Sequence, residues 1–198
     1  MPRGEPAPRC VHLQPASNRR EPGASEVTHA AASRPTWMES IYDPEMVVSV
    51  EVQAVSGRTL AAVRCSIPPG EVGSSWGPAV GKVWDFLRGQ PGLWTGGHNI
   101  FVYHHAKEAS GPLLCDFGVE VSGTFDAAGE VFATETPTGE AVVAVYRGPY
   151  DGLHEAYDAI DTWMAAHARG SAGHSWEIYG DPTPNPADTV TTVLHLLS

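Results

Sequence analysis

Apolar positions along this chain follow two rhythms, one strand-like and one helical, and each rhythm occurs twice. Val48–Gln53 alternates, and Thr59–Ile67 is a mostly apolar run that starts just after Gly57. Both patterns predict strands with at least one buried face. Pro68-Pro69-Gly70 ends the second run. Trp76, Val80, Val83, Trp84 and Leu87 then recur at helical spacing, with Ser74 or Ser75 placed to cap the helix and Pro78 suited to a first turn. Gly89, Pro91 and Gly92 stop this helix, and His98–His105 and Leu114–Val121 read as two more strands.

The second half repeats the order. Val131–Thr136 and Ala141–Arg147 read as strands, and Gly148-Pro149-Tyr150 as a turn. Asp151 is placed to cap a helix whose Leu153, Ala156, Tyr157, Ile160 and Met164 share a face. Glu155 in its first turn and Arg169 near its end suit the helix dipole. Gly170 and Gly173 terminate it, and Ser175–Tyr179 and Thr189–Leu197 close the chain as strands. Residues match as well as elements. Ala62-Val63-Arg64 aligns with Ala144-Val145-Tyr146, Trp84 with Trp163, and His98–Tyr103 with His174–Tyr179. Three matches in one order indicate a duplicated βαββ-like unit. The expected fold is α+β, an antiparallel sheet with two helices on one face and a ligand groove between the halves.

Strand alternation sorts the central residues onto two sides. Ile100 and Val102 go with Trp176 and Ile178, a set suited to packing under the helices. Phe101 and Tyr103 go with Glu177 and Tyr179, an aromatic set with a single carboxylate, which suits a ligand groove better than a dry core.

Composition narrows the function classes. Hydrophobic residues at 42% and charged residues at 18% exclude a wholly disordered chain. No apolar run reaches the ~20 residues of a membrane-spanning helix, so no membrane role is expected. The net charge of -11 repels phosphate backbones, so direct nucleic-acid binding is disfavoured. Three cysteines, Cys10, Cys65 and Cys115, with no CxxC spacing fit a reducing compartment, and a cytoplasmic location is expected. Residues 1–40 hold six prolines, five arginines and no periodic apolar pattern. They are expected to be a disordered tail, or to precede a true start at Met38 or Met46.

Short motifs for other chemistries are missing. His104 and His105 are adjacent and point to opposite faces of a strand, and no HExxH or paired Cys/His spacing occurs, so no metal and no cofactor are expected. Cys65 and Cys115 lie in strand runs and read as small buried hydrophobes. No GxSxG elbow is present, and Gly81-Lys82 is followed by Val83 rather than Ser or Thr, so the phosphate-loop pattern fails. Asp151, Glu155, Asp158 and Asp161 read as a solvated helix face.

Several segments together resemble the GyrI-like family, also called AraC-type effector-binding or multidrug-binding domains. They are Pro137-Thr138-Gly139, Tyr146-Arg147-Gly148-Pro149-Tyr150-Asp151, Ser175-Trp176-Glu177-Ile178-Tyr179-Gly180, Thr191-Thr192-Val193 and Leu196-Leu197. Gly73–Leu87 and Gly97–Tyr103 in the first half are similar too, so the likeness covers roughly residues 46–198. The resemblance implies a pseudo-twofold α+β fold with a groove for small, often aromatic and cationic molecules. It also implies that the carboxylate of the Trp-Glu-x-Tyr strand, here Glu177, faces that groove. Some members carry a fused DNA-binding domain; none is visible here, which points to a stand-alone binder or hydrolase.

The candidate ligand-binding residues are therefore Glu177, Tyr179, Phe101, Tyr103, Tyr146 and Tyr150. A carboxylate buried among aromatics is costly alone, and a cationic guest offsets that cost. An alternative with the same residues is a hydrolase of cyclopropane-bearing genotoxins. There Glu177 acts as acid or base and Tyr146 or Tyr179 donates to the developing oxyanion. A third reading is an acidic inhibitor of a basic protein partner, a topoisomerase such as gyrase. The plain alternatives are an exposed edge-strand carboxylate for Glu177 and ordinary core packing for the aromatics.

Overall fold

The computed structural model describes residues 48–68, 70–90, 92–93, 95–106 and 112–198. The expected tail over residues 1–40 lies outside the described residues, as do Met46, Pro69 and Pro91. The order of elements is β1 (Val48–Val55), β2 (Thr59–Ile67), α1 (Val72–Arg88), β3 (Thr95–His104), β4 (Leu113–Val121), β5 (Val131–Glu135) and β6 (Gly139–Arg147). A 3-10 turn (Tyr150–Gly152), α2 (His154–Ala166), β7 (Ser171–Tyr179), a second 3-10 turn (Pro186–Asp188) and β8 (Val190–Leu197) follow. No helix among the described residues is long and apolar enough to cross a membrane.

Most local signals are obeyed, but Arg169 lies beyond the end of α2 and pairs with Glu140, and three further departures shape the element ends. First, α1 begins at Val72, so Pro78 falls beyond the first turn. Ser74 and Ser75 donate their hydroxyls to the Glu71 carbonyl, at 3.0 and 2.8 Å, instead of capping N–H groups. Second, Asp151 sits in the 3-10 turn, and Leu153 takes the cap position of α2 without a side-chain bond. Third, Gly173 does not stop a helix. It lies inside β7 at φ +84°, where the register with β8 shifts between Ser171 and Ser175. A left-handed residue at a bulge is where glycine costs least.

All eight strands form one antiparallel sheet in the order β1-β6-β8-β7-β3-β4-β2-β5. The two repeats are thus ββαββ units that exchange their first strands: β1 pairs with β6 of the second unit, and β5 with β2 of the first. The register at the seam verifies the sequence alignment. Phe101 and Glu177, which align between the repeats, are paired with one another across β3 and β7. Ile100 pairs with Ile178 and Val102 with Trp176, two pairs that the alignment exchanges, since Ile100 matches Trp176 and Val102 matches Ile178. A pseudo-twofold axis therefore passes between Phe101 and Glu177.

The sheet is strongly curled, and the connections dictate it. β1 and β2 stand six strand positions apart, about 29 Å in a flat sheet at ~4.8 Å per strand. Only residues 56–58 join them, a link that spans at most about 15 Å. β5 and β6 are joined equally briefly. The two links meet: Arg58 N–H donates to Thr136 Oγ1 at 2.9 Å, and Thr136 N–H donates to the Arg58 carbonyl at 3.0 Å.

This curl reverses the expected sidedness of the core. Helix α1 packs its Ala79, Val80, Val83 and Leu87 against Ala61, Val63, Phe101, Tyr103, Cys115 and Phe117. Helix α2 packs Ala156 and Ile160 against Val142, Ala144, Tyr146 and Val193. The helices thus lie on the Phe101/Glu177 side, not over Ile100, Val102 and Trp176. The latter are buried in a helix-free cluster with Leu60, Ala141, Val143 and Leu194. Curling lets strand side chains bury one another, so this face needs no helix. The expected α+β class and antiparallel sheet with two helices on one face are observed.

One charged group lies buried on β4. Asp116 on β4 is 1% exposed and accepts two hydrogen bonds from Arg64, at 2.6 and 2.7 Å, and one from His104 at 2.8 Å. Burial alone would raise its carboxyl pKa, but the Arg64 and His104 bonds outweigh that and hold it below the usual range. The folded pKa lies below the unfolded one, so its stabilisation is complete above pH ~4 and is lost as pH falls through the folded value. In urea unfolding, the stability gap between the wild type and Asp116→Asn should be flat from neutral pH to about 5 and shrink below about 4. A gap that persists unchanged at pH 2 contradicts this account.

Candidate functional site

Two helices on one face cover the outer strands and leave the seam between β3 and β7 as the floor of a groove. Glu177 lies on that floor, 4% exposed. Three tyrosine hydroxyls converge on its carboxylate. Tyr103 from β3 and Tyr179 from β7 donate to Oε2 at 2.7 and 2.6 Å, and Tyr157 from α2 donates to Oε1 at 2.6 Å. Burial, and then the Glu177 charge, push all three phenol pKa values far above their ordinary value, so each hydroxyl keeps its proton and donates. A carboxylate that receives three donors fills three of its roughly four lone-pair positions, the bonding of an ionised group. Among the described residues no lysine, arginine or histidine pairs with it. The site is a buried anion solvated by phenols and left without a counter-charge.

One cavity is bounded by this carboxylate, and a second lies beyond the ring of Tyr179. One, of about 260 Å³, is bounded by Glu177, Tyr103, Tyr157, Ser175, His105, Val72 and Leu113. Within it His105 Nε2 and Ser175 Oγ are hydrogen-bonded at 2.7 Å. The other, of about 310 Å³, is an aromatic cage of Trp76, Trp84, Phe101, Tyr150 and Tyr179 with Asn99, Gly97, Gly180 and Pro182. Its rings support one another. Phe101 stands 4.7 Å from Tyr179 and 4.9 Å edge-on from Phe117, centroid to centroid, and Tyr150 lies 5.5 Å edge-on to Tyr179. Trp84 Nε1 donates to Asn99 Oδ1 at 3.2 Å, which fixes the indole against the wall. Trp76 and Tyr150, 44% and 56% exposed, stand at the mouth. Large exposed rings on both sides of a cleft mark a surface that gains by covering a ligand.

The residues nominated from sequence are distributed unevenly. Glu177, Tyr103 and Tyr179 meet in one hydrogen-bonded cluster, and Phe101 and Tyr150 line the adjoining cage. Tyr146 is the exception. It shares the α2 side of the sheet, but its hydroxyl donates to the Pro149 carbonyl at 3.0 Å and its ring is 2% exposed in the α2 core. A Cβ on Gly148 or Gly152 would collide with the Tyr146 hydroxyl, so the chain is built around that ring. Sequence reading passed over Tyr157, Trp76, Trp84, His105 and Ser175 as site residues. A signal for Tyr157 was present: a tyrosine on the apolar stripe of a helix must find a partner for its hydroxyl.

Comparison with known proteins shows the family and the fold. Residues 49–195 match the family model described as the GyrI-like small molecule binding domain. Among solved structures, the EcmrR C-terminal domain is similar at TM-score 0.64 with 20% identity over 77% of this chain and 99% of that one. SAV2435 bound to tetraphenylphosphonium is similar at TM-score 0.55 with 8% identity over 76% and 94%. A hydrolase encoded by lin2189 from Listeria innocua is similar at TM-score 0.51 with 15% identity over 75% and 91%. At such identities the likeness is one of fold. No curated protein matches the chain.

Proposed function

The chain belongs to the GyrI-like small molecule binding domain family, and from that premise we propose that it binds hydrophobic aromatic cations between α1 and α2, with Glu177 as the counter-charge. The observation that carries this reading is the buried Glu177 carboxylate, held by three phenols and paired with no cation among the described residues. Burying an unpaired charge costs several kcal/mol, and a cationic guest recovers part of that. At ~4–8 Å and an effective dielectric of ~20 the attraction is about 2–4 kcal/mol. Each cage ring facing the cation adds ~0.5–2 kcal/mol. After ordering costs, these contributions support affinities near the micromolar range, about -8 kcal/mol.

Trp76 and Trp84 line the cage and serve as reporters. Titration with tetraphenylphosphonium should quench tryptophan fluorescence saturably, with triphenylphosphine oxide, a neutral relative, binding at least tenfold more weakly. No saturable quenching up to millimolar cation would sink the proposal.

A second reading adds turnover at the same place. Tyr103 and Tyr179 share one oxygen of Glu177, so a group displacing either hydroxyl meets a base and a phenol donor side by side. For a cyclopropane conjugated to a carbonyl, Glu177 takes a proton from the attacking water. The new C–O bond forms as the ring C–C bond breaks, and Tyr179 stabilises the developing oxyanion, which is then protonated. Mass spectrometry of such a compound incubated with the protein separates the readings. Gain of one water over many turnovers supports hydrolysis, and intact ligand recovered quantitatively supports binding alone.

A further inference from the structure

The geometry points to a second site, for a borderline divalent transition-metal ion such as Zn²⁺, held by His104 Nδ1 and His174 Nδ1 on the sheet face opposite Glu177. The two histidines are paired directly across β3 and β7. Their Nδ1 atoms stand 3.2 Å apart, and their rings are 89° from coplanar. Two nitrogens bound to zinc at ~2.0–2.1 Å with a tetrahedral angle are about 3.3 Å apart. The pair therefore already has the bite of a chelate.

The surroundings select the ligating tautomer. His104 Nε2 lies 2.8 Å from Asp116 Oδ2. A carboxylate only accepts, so Nε2 carries a proton, and in the neutral ring Nδ1 presents a bare lone pair toward His174. Asp116 is itself clamped by the two bonds from Arg64. A carboxylate that orients a histidine through its far nitrogen is the usual outer support of a metal ligand. Without metal, His174 donates its Nδ1 proton to His104. With metal, that proton moves to His174 Nε2, so binding needs no net proton release. His174 is half-buried, and the His104 side chain is 25% exposed, so an ion and its waters have access. Among the described residues no three His, Cys, Asp or Glu side chains converge on one point. The protein thus supplies two ligands and water completes the shell. Short-range spacing misses this pair because its members lie on distant strands and meet only through sheet register.

The full chain, stripped with a chelator, is titrated with Zn²⁺ by calorimetry and with Co²⁺ by visible absorption. One ion per chain is expected, with a Co²⁺ absorption spectrum shifted from that of the free aqua ion by nitrogen ligation. His174→Gln and His104→Gln should each weaken binding at least tenfold, and Asp116→Asn by about 10–100-fold. His167→Gln, on the exposed end of α2, should change nothing. Thermal melts of the apo variants confirm that each is folded, and half-exposed His174 keeps one variant safe from core damage. The proposal is overturned if the wild type binds no Zn²⁺, if His174→Gln binds it equally well, or if the Co²⁺ spectrum stays that of the free aqua ion.

Discussion

Replacing Glu177 with Gln should cost a lipophilic aromatic cation about a hundredfold in affinity while leaving a neutral ligand of similar shape within about threefold. The substitution keeps the volume of the side chain and removes its charge. What disappears is the attraction between cation and carboxylate, about 2–4 kcal/mol for a separation of ~4–8 Å at an effective dielectric of ~20. Ring contacts from Phe101, Tyr150 and Tyr179 remain for both ligands. Stability should move the other way. The native state holds an anion away from bulk water with only phenol donors around it. Deleting the charge relieves that desolvation, so the apo variant should melt at the wild-type temperature or above, the pattern of a residue kept for function at the expense of stability. Calorimetric titration with a matched cationic and neutral pair, alongside thermal melts, reads both quantities. Equal losses for the two ligands would show that Glu177 acts through shape and not through charge.

The second large effect is expected at Trp176. Its side chain is 2% exposed at the centre of the helix-free cluster, among Ile100, Val102, Val143 and Leu194. Truncation to Ala should cost about 3–5 kcal/mol, because a rigid curled sheet refills such a space poorly. For a domain of this size that lowers the melting temperature by roughly 10 °C. The contrast is Trp76→Ala. That ring stands exposed at the mouth of the cage, so its loss should leave the melting temperature within ~2 °C and weaken aromatic ligands instead. If Trp76→Ala destabilised the fold as much as Trp176→Ala, the division between structural and ligand-facing indoles would be wrong.

What was legible from the residues was whatever local periodicity encodes. The strand runs, both helices and the duplication could be read, and the alignment of His98–Tyr103 with His174–Tyr179 reappears as the pairing across the axis. Alternation also isolated Glu177, Tyr103 and Tyr179 on one side. It could not say which side the helices take. That choice depends on the curl, which the brevity of links 56–58 and 136–138 enforces only once the strand order is known. Tyr157 went unrecognised because its partner lies on another element, and only the docking of α2 brings the two together. Tyr146 lies in the Tyr-Arg-Gly-Pro-Tyr-Asp segment that carries the family likeness, but a carbonyl three residues away captures its hydroxyl. Composition does not reveal such short-range competition for a donor.

The exchanged first strands have an evolutionary reading. A polypeptide with a single ββαββ unit would leave its own second strand without the neighbour that β5 provides here, and its first strand would have nowhere to dock. Two copies would satisfy each other by swapping those strands, as a domain-swapped homodimer does. The present chain has the architecture of such a dimer with its subunits fused. In a fused chain the two copies are free to differ, and at the position on the pseudo-twofold axis one carries a ring, Phe101, and the other an acid, Glu177. A symmetric dimer could place only two identical side chains there, so the pairing of one charge with one aromatic face is open only to a fused chain.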